Sequence, residues 1–442
     1  MKNYNLKLMQ LILSIICLIL FNPIYAQQVL TLEETLSLSL DENIAIKISS
    51  NNKKKADNQA TMGNAGLLPK INLIGSGSYN EGKASLEFAS SDFQSITEAA
   101  SETSNINGNI EFQYILFNGL GSINTFRKLN IQNDLKSIEL KIQIEQTIIS
   151  SAKQYYDIAY LQEQHAINKK LVEISLERYN RIKIQKEFGN ASNLDLLSAE
   201  IDLNNDSTGL INTSVELNNA KNVLNQILNR NSENNFRVNQ EVKLKKNLNY
   251  LELKERVNNN NNNIVLQQYI LKIAEKNRKI NTSYLMPKIA LTGQYGYSNI
   301  QSNTSLITEQ TNLGASGYIN LSWNLFDGFS KKVMLQNAKI EITTNELKLE
   351  SIKNEINNEL ENIFNQYINN INLIEIEIRN KYAAEKFFQR SQEQYYQGQL
   401  SNNDFRLAQV TLGQSINRLN RINYLTKIAE LNLYRISAQI IL

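Results

Sequence analysis

Two long segments of the chain contain neither glycine nor proline, and they restrict the possible folds most strongly. They cover residues 122–186 and 330–395. Apolar residues of the first segment recur at spacings of three and four, as at Ile149, Ala152 and Tyr156, which is the pattern of an amphipathic helix or coiled coil. Folded as one helix, each segment would be about 100 Å long at 1.5 Å per residue. The 17 glycines and three prolines make up about 5% of the 442 residues, against about 12% in typical proteins, which argues against an α/β domain with frequent tight turns.

The chain also contains an internal duplication. Landmarks of the first half recur in the second half at a constant offset of 209 residues. The matching sets are Leu116-Phe117-Asn118-Gly119 with Leu325-Phe326-Asp327-Gly328, and Gly189, Ser192, Asp195 and Ala199 with Gly398, Ser401, Asp404 and Ala408. Pro69 and Pro287 also stand in matching contexts, because each is followed by Lys-Ile. The sequence therefore predicts a first structural repeat over 27–230 and a second over 231–442.

After each of these prolines the pattern changes from helical to alternating. Polar and apolar residues alternate in four segments. Each segment has about ten residues, which is the length of a membrane-spanning β-strand. The predicted strands cover about 70–80, 107–116, 288–298 and 316–325, and the polar stretch 81–105 is predicted to connect the first two. Glu111, Gln113 and Asn320 lie on the polar side and are candidates for residues that line a lumen. The alternative for Glu111 is a position at the rim of the barrel. On the apolar side stand aromatic residues that fit a lipid-facing girdle, and these are Tyr79, Tyr114, Tyr297 and Trp323.

Two interpretations of the strands remain open. In the soluble one, two β-hairpins pack their apolar faces against a helical core. In the membrane one, the sheet must close, because an open sheet leaves edge N–H and C=O groups unsatisfied in hydrocarbon. Two chains would give an eight-stranded barrel filled by side chains, whereas three would give twelve strands and a lumen. The polar faces favour three chains, with the long helices continuing the barrel as a helical tube.

The first 26 residues have the pattern of an export signal. Lys2 and Lys7 precede an apolar run over 8–21, and a small residue, Ala26, marks a plausible cleavage site. The apolar run is shorter than the roughly 20 residues of a membrane span, although an N-terminal anchor helix is the alternative. Cys17, the single cysteine, lies within this signal, so the mature chain is predicted to contain no thiol and no disulfide.

Gly189 and Gly398 are predicted to form the turns between a long helix and a shorter one. Ser192-x-x-Asp195 and Ser401-x-x-Asp404 have the spacing of capping boxes at the start of the shorter helices. The serine would accept a hydrogen bond from the backbone, and the carboxylate would favour the positive end of the helix dipole.

With these landmarks in this order, the chain resembles the outer membrane efflux protein family, the TolC-like channels. The resemblance covers residues 27–442, and its carriers are Leu30-Thr31-Leu32-Glu33-Glu34-Thr35-Leu36, Leu67-Leu68-Pro69, the two Leu-Phe-Asn/Asp-Gly motifs and the two Gly-x5-Asp-x3-Ala turns. The resemblance implies a mainly α chain that forms a homotrimer, with a twelve-stranded β-barrel in the outer membrane continued by a periplasmic α-helical barrel. It also implies a periplasmic adaptor protein and an inner-membrane pump as partners, and the export of small molecules or proteins.

The resemblance further implies a role for the two turns. In such channels they form the periplasmic tip, which is gated and meets the adaptor, so the implied residues are Gly189, Ser192, Asp195, Gly398, Ser401 and Asp404. Repeated three times, the two aspartates would form acidic rings that attract cations. Some family members carry a second acidic residue three positions after the second aspartate, where this chain has Leu407. A helix cap and an acidic ring both remain open as roles of the aspartates, and the two are compatible.

No motif in the sequence indicates catalysis or a cofactor. The chain has no G-x-x-x-x-G-K and no G-x-S-x-G motif, and His165 is its single histidine, which argues against a metal site. The formal net charge of +3 is too small to indicate a nucleic-acid partner. The sequence thus predicts a passive transport duct, and the alternative is a trimeric coiled-coil surface protein or periplasmic scaffold without transport activity.

Overall fold

A computed structural model describes residues 28–89, 92, 95–232, 235–245, 247–305 and 307–440. The predicted export signal, residues 1–26, lies outside the described residues. In chain order the elements are β1 (Gln28–Leu30), α1 (Leu32–Glu42), α2 (Ile44–Gln59), β2 (Lys70–Leu86), β3 (Ile96–Phe117), α3 (Gly121–Glu187), α4 (Asn193–Ile227), β4 (Phe236–Val238), α5 (Tyr250–Asn260), α6 (Asn262–Ser283), β5 (Lys288–Ser302), β6 (Glu309–Ser322), α7 (Ser330–Tyr396) and α8 (Asn402–Ile436).

The two long helices are present as predicted. Helices α3 and α7 each contain 67 residues, and the helices that follow them, α4 and α8, each contain 35. Equal lengths at equivalent places in the two halves are what a duplicated chain should give. The predicted fold class, mainly α with a smaller β part built from a duplicated hairpin and long-helix unit, is confirmed.

Four long strands form one antiparallel sheet in the order β2-β3-β5-β6. Their bounds differ from the predicted ones. Strands β2 and β3 continue into the predicted connection 81–105, where Gly82 still pairs with Ser101, because ladder hydrogen bonds need no apolar side chains. Strand β6 begins earlier than predicted, at Glu309, and ends earlier, at Ser322 rather than at 325.

The chain divides into two spatial units, and each takes segments from both halves of the sequence. The sheet unit comprises Ile48–Ile142 and Asn258–Ile356, and so contains all four long strands. The helical unit comprises Met1–Lys47, Gln143–Val257 and Asn357–Leu442 as far as they are described. The sequence repeat and the spatial unit are therefore different divisions of the same chain.

The core of the helical unit lies around a small parallel sheet in which β1 pairs with β4. The Tyr155 hydroxyl of α3 donates to the Leu30 carbonyl at 3.1 Å and accepts from the Asn239 N–H at 3.1 Å. The Gln162 side-chain amide pairs with both backbone groups of Val238, at 3.1 and 3.0 Å, as a neighbouring strand would. These bonds satisfy buried backbone groups of a sheet too short to satisfy them itself.

Candidate functional site

The register of the four-stranded sheet assigns each strand residue to one of two faces. Glu111 pairs with Asn72 on one side and with Gln294 on the other, so the three lie on one face. Gln113 shares this face, and its side-chain amide donates to Glu111 Oε1 at 2.8 Å. Asn320 of β6 belongs to the same face by the same register. The three residues predicted as lumen candidates are thus on one surface, which we call the polar face.

The polar face consists mainly of amides and hydroxyls. Its members include Asn72, Ser76, Ser78, Asn80, Thr103, Asn105, Asn107, Asn109, Thr292, Ser298, Asn312 and Ser316. Among the described strand residues its charges are Lys70, Glu111 and Lys288. A surface of this kind is suited to contact with water rather than with hydrocarbon.

The opposite face carries an apolar band. Its members include Ile71, Leu73, Tyr79, Ile106, Ile110, Phe112, Tyr114, Leu291, Tyr295, Tyr297, Leu313, Ile319 and Leu321. Leu73 is 83% exposed and Leu321 65% exposed in the single chain, so the described part of the chain leaves both side chains largely uncovered. Along β2 the band extends from Ile71 to Tyr79, about the length of a membrane-spanning strand, and beyond it this face carries Glu81. Three predicted girdle residues, Tyr79, Tyr114 and Tyr297, lie on this apolar face.

Trp323 differs from the other predicted girdle residues. It lies directly after the last residue of β6, not within a strand as the sequence pattern predicts. Its indole Nε1 donates to the Leu285 carbonyl at 3.0 Å, while the side chain remains 57% exposed. The alternation of apolar residues continues beyond the end of β6, whereas the backbone pairing ends at Ser322.

The first predicted turn, at Gly189, links α3 to α4. Gly189 has φ +76°, a left-handed conformation that glycine adopts without steric cost, and the Asn190 N–H donates to the Gln185 carbonyl at 2.7 Å. A capping box follows, because the Ser192 hydroxyl accepts from the Asp195 N–H at 3.1 Å and the Asp195 carboxylate accepts from the Ser192 N–H at 3.0 Å. The Ser192 hydroxyl also donates to this carboxylate, and these bonds lower the pKa of the Asp195 carboxyl.

The second predicted turn, between α7 and α8, has the same backbone conformation and the same serine cap. Gly398 has φ +77°, and the Gln399 N–H donates to the Gln394 carbonyl at 2.9 Å. The Ser401 hydroxyl accepts from the Asp404 N–H at 3.2 Å and donates to the Asp404 carboxylate at 2.6 Å. Among the described hydrogen bonds, the Asp404 carboxylate accepts from the Ser401 hydroxyl and not from the Ser401 N–H. The second turn therefore has the serine cap without the complete capping box that the sequence predicts, whereas the first turn has both. Both aspartates are exposed.

Replacing Ser192 by alanine is expected to destabilise the helical unit by about 1 kcal/mol. The pKa of the Asp195 carboxyl should rise toward its ordinary value, because its largest stabilising hydrogen bond is lost. A carboxyl with a lowered pKa stabilises the fold above its unfolded pKa, and this contribution disappears as pH falls through the folded pKa. The acid side of a plot of stability against pH should therefore flatten in the variant.

Urea unfolding followed by helical circular dichroism measures the loss, and carboxyl NMR measures the pKa. Ser198→Ala, within the same helix and away from its cap, is the matched control. An equal loss in both variants would contradict the cap.

A buried network of charges in the helical unit joins three helices. Arg178 of α3 forms an ion pair with Asp202 of α4, and the Arg178 side chain is fully buried. Arg406 of α8 binds Asp206 of α4 through two hydrogen bonds, at 2.6 and 2.8 Å. Burial lowers the pKa of the Arg178 guanidinium, an effect that the charge of Asp202 opposes.

Sequence reasoning missed this network. Asp202 and Asp206 are four residues apart and so lie on one side of α4. Many other charged residues on these helices have the same spacing, and the sequence does not distinguish buried charges from exposed ones. The partners of Asp202 and Asp206 are far away in the chain, so only the packing of the helices identifies them.

The described residues contain neither a cluster of metal-binding side chains nor a membrane-spanning helix. In the part of the chain that the structure describes, no three His, Cys, Asp or Glu side chains gather as they would around a metal ion. No helix described there is both long and apolar enough to cross a membrane.

Comparison with known families identifies the chain. The model of the outer membrane efflux protein family matches residues 35–230 and again residues 253–439. The chain belongs to the outer membrane efflux protein family, which is a family of channels and not of enzymes. One match in each half agrees with the duplication, and the resemblance drawn from the sequence motifs is confirmed.

Solved structures show the same fold. A membrane protein from Pseudomonas aeruginosa aligns with a TM-score of 0.77 at 15% identity, over 92% of this chain and 90% of that one. The CmeC outer membrane channel of Campylobacter jejuni gives 0.74 at 16% identity, over 92% and 86%. The open state of the MtrE outer membrane channel of Neisseria gonorrhoeae gives 0.72 at 16% identity, over 92% and 89%. A search of the curated proteins finds no match to this chain.

Proposed function

We propose that this chain forms the outer membrane exit duct of a tripartite efflux or type I secretion system. Three copies make a passive channel from the periplasm to the exterior. An inner-membrane pump supplies the energy, and a periplasmic adaptor protein links the pump to the duct. After removal of the signal over residues 1–26, the mature chain lies in the outer membrane and extends into the periplasm.

The observation that carries this proposal is the sheet with one polar and one apolar face. Its apolar band is uncovered in the single chain, with Leu73 83% exposed, and lipid is the environment in which such a band is stable. Within the described residues its edge strands, β2 and β6, have no further strand partner. In a membrane these edges must be paired, and a second and third copy of the same chain provide the pairing.

Three copies fit the chemistry of the polar face better than two. An eight-stranded barrel is filled by its own side chains, whereas twelve strands leave a lumen. Glu111, Gln113 and Asn320 would then line this lumen, and Tyr79, Tyr114 and Tyr297 would face lipid and its interfaces. Trp323, beyond the strand, would lie at the barrel end. The 67 residues of α3 and of α7, each about 100 Å long, would form the helical tube that crosses the periplasm.

The turns at Gly189 and Gly398 would form the periplasmic tip and contact the adaptor. Both turns are exposed, and each is followed by an exposed aspartate in the first turn of the next helix, Asp195 or Asp404. Three-fold repetition would place six such carboxylates around the opening, and a ring of carboxylates attracts cations.

Cross-linking between the sheet edges tests the trimer. Ser76 of β2 and Ser316 of β6 are polar-face positions on the two edge strands, and both can be replaced by cysteine in a Cys17-free or mature chain. Within one chain three strand spacings, about 14 Å in all, separate these edges, so a bismaleimide spanning about 8 Å joins different copies. We expect a ladder of cross-linked products that ends at three chains in the outer membrane fraction.

Each alternative gives a different result in this experiment. A ladder that ends at two chains would contradict the twelve-stranded barrel. Recovery of uncross-linked chain in the soluble periplasm would favour the scaffold without transport activity. Ser76→Cys alone is the matched control and should give no ladder.

Replacing Asp404 by alanine is expected to weaken the block of the channel by divalent cations. Removing three of the proposed ring carboxylates makes the potential at the tip less negative. Gly398 still follows the end of α7 and Ser401 still caps the start of α8. Single-channel conductance in planar bilayers, with magnesium added on the periplasmic side, measures the block. Unchanged block would leave the helix cap as the role of Asp404. Glu385→Ala, which removes an exposed carboxylate of α7 away from the turn, is the control.

A further inference from the structure

A cavity of about 310 Å³ lies in the sheet unit where the strands meet the helices. The end of β3, the start of α3, the end of α6, the start of β5 and the segment from β6 to α7 enclose it. Its polar lining includes Asn118, Ser122, Thr125, Lys288, Asn324 and Lys331. Its volume is within the lower range of small-molecule sites.

Gly121, at the start of α3, lines this cavity and permits the end of α6 to approach closely beside it. A Cβ atom there would lie 2.5 Å from Ser283 Oγ at the end of α6, a distance that no real contact allows. Carbonyl groups at the end of α6 accept hydrogen bonds from the residues that follow the helix. For example, the Met286 N–H donates to the Ser283 carbonyl at 3.0 Å. The end of α6 thus approaches α3 closely without presenting all its carbonyl groups to the cavity.

The charge of the lining is positive. Lys288 and Lys331 line the cavity, and no Asp or Glu is among its described lining residues. Neither lysine forms an ion pair within the part of the chain described. Lys331 Nζ donates to the Asn324 carbonyl at 3.2 Å, which leaves two of its three N–H groups available. Asp327, the carboxylate nearest in sequence, accepts from the Lys331 backbone N–H at 3.1 Å.

Two further features favour negative charge in this cavity. Gly121 and Ser122 begin α3, and Lys331 lies in the first turn of α7, so the positive ends of two long helices lie at the cavity. The hydroxyl of Thr125 and the side-chain amide of Asn324 add neutral polar groups to the lysines, while the Asn118 amide and the Ser122 hydroxyl bond to each other at 2.9 Å. Two ammonium groups among hydroxyls and amides match a carboxylate or phosphate.

The strand residues that line the cavity lie on the polar face of the sheet. Lys288 pairs with Ser322, and both belong to the polar face that carries Asn320. The ligand of the cavity is therefore a dissolved anion and not a lipid headgroup held against the apolar band. We propose that this cavity is a binding site for a small dissolved oxyanion such as phosphate, with Lys288 and Lys331 as its charged ligands.

Trp323, the single tryptophan of the chain, provides a reporter. It stands between Ser322 and Asn324, which both line the cavity. Sodium phosphate added to the purified full chain in lipid-free detergent should change its fluorescence saturably, and sodium chloride at equal ionic strength should not. Isothermal titration calorimetry on the same samples measures binding independently of the fluorophore.

Substitutions identify the site. Lys288→Gln and Lys331→Gln should each weaken phosphate binding about tenfold or more, because each removes a charged hydrogen-bond donor. Lys332→Gln is the matched control, since Lys332 is the next residue of α7 and does not line the cavity. No saturable heat with the unaltered chain, or an equal loss in Lys332→Gln, would overturn the proposal. The measurement requires no transport, so it can fail while the chain still forms a channel, and it can succeed if the channel proposal fails.

Discussion

Replacing Leu73 by arginine is expected to cost about 2–4 kcal/mol of folding free energy in a bilayer. Leu73 is 83% exposed on the apolar face and pairs with Ile110, another apolar residue of the band. Leu73 lies two residues before Gly75, which is at the middle of the apolar band along β2. A guanidinium there would leave water for hydrocarbon, and no carboxylate on this face is near enough in the register to compensate for it. Reversible urea unfolding from lipid vesicles measures the change, and the yield of folded oligomer should fall with it.

The neighbouring residue provides the control. Asn72→Arg changes the same strand at the same depth, but it places the charge on the polar face beside Glu111. It should cost much less than Leu73→Arg if the polar face meets water. Leu321→Arg, next to the end of β6, should fall between the two, because the penalty decreases toward the membrane surface. Equal losses at positions 72 and 73 would rule out the membrane orientation of the sheet.

Replacing Asp202 by alanine is expected to destabilise the helical unit by about 3–5 kcal/mol. Asp202 is the ion-pair partner of Arg178, whose side chain has no solvent exposure, while Asp202 itself is 22% exposed. Its loss leaves a guanidinium uncompensated in a medium of low polarity, which is the costly part of breaking a buried pair. Urea unfolding followed by helical circular dichroism gives the free energy.

Two variants show whether burial is the cause. Glu385→Ala breaks the exposed pair with Lys381, whose side chains are 38% and 43% accessible, and should cost at most about 1 kcal/mol. Adding Arg178→Met to Asp202→Ala should recover part of the loss, because the uncompensated charge is then removed. A cost for Asp202→Ala no larger than that for Glu385→Ala would contradict the network.

The sequence predicted the faces of the sheet more reliably than its limits. The alternation in β3 placed Glu111 and Gln113 on one face and Tyr114 on the other, because side chains of any strand alternate. It failed at the ends, where Gly82 continues the ladder among polar residues and Trp323 follows the strand among apolar ones. Strand ends depend on backbone pairing, which side-chain polarity records only in part.

The turns were predicted almost completely. Gly189 and Gly398 have the left-handed conformation that glycine favours, and Ser192 and Ser401 cap the following helices. These are local features, in which every hydrogen bond joins residues a few positions apart, so local sequence contains the information. Their proposed place at a channel tip depends on other copies of the chain, and a cap motif carries no information about that.

The duplicated sequence by itself determined the long helices, the alternating strands, the turns and the family, because each follows from residue spacing within a short stretch of chain. The tertiary structure alone decided which distant residues meet. It placed Arg178 with Asp202 and Arg406 with Asp206, and it brought Lys288 and Lys331 to one cavity. Such meetings depend on how helices and strands pack in three dimensions, and a lysine or an aspartate has the same letter in the sequence whether it is buried beside a partner or exposed to water.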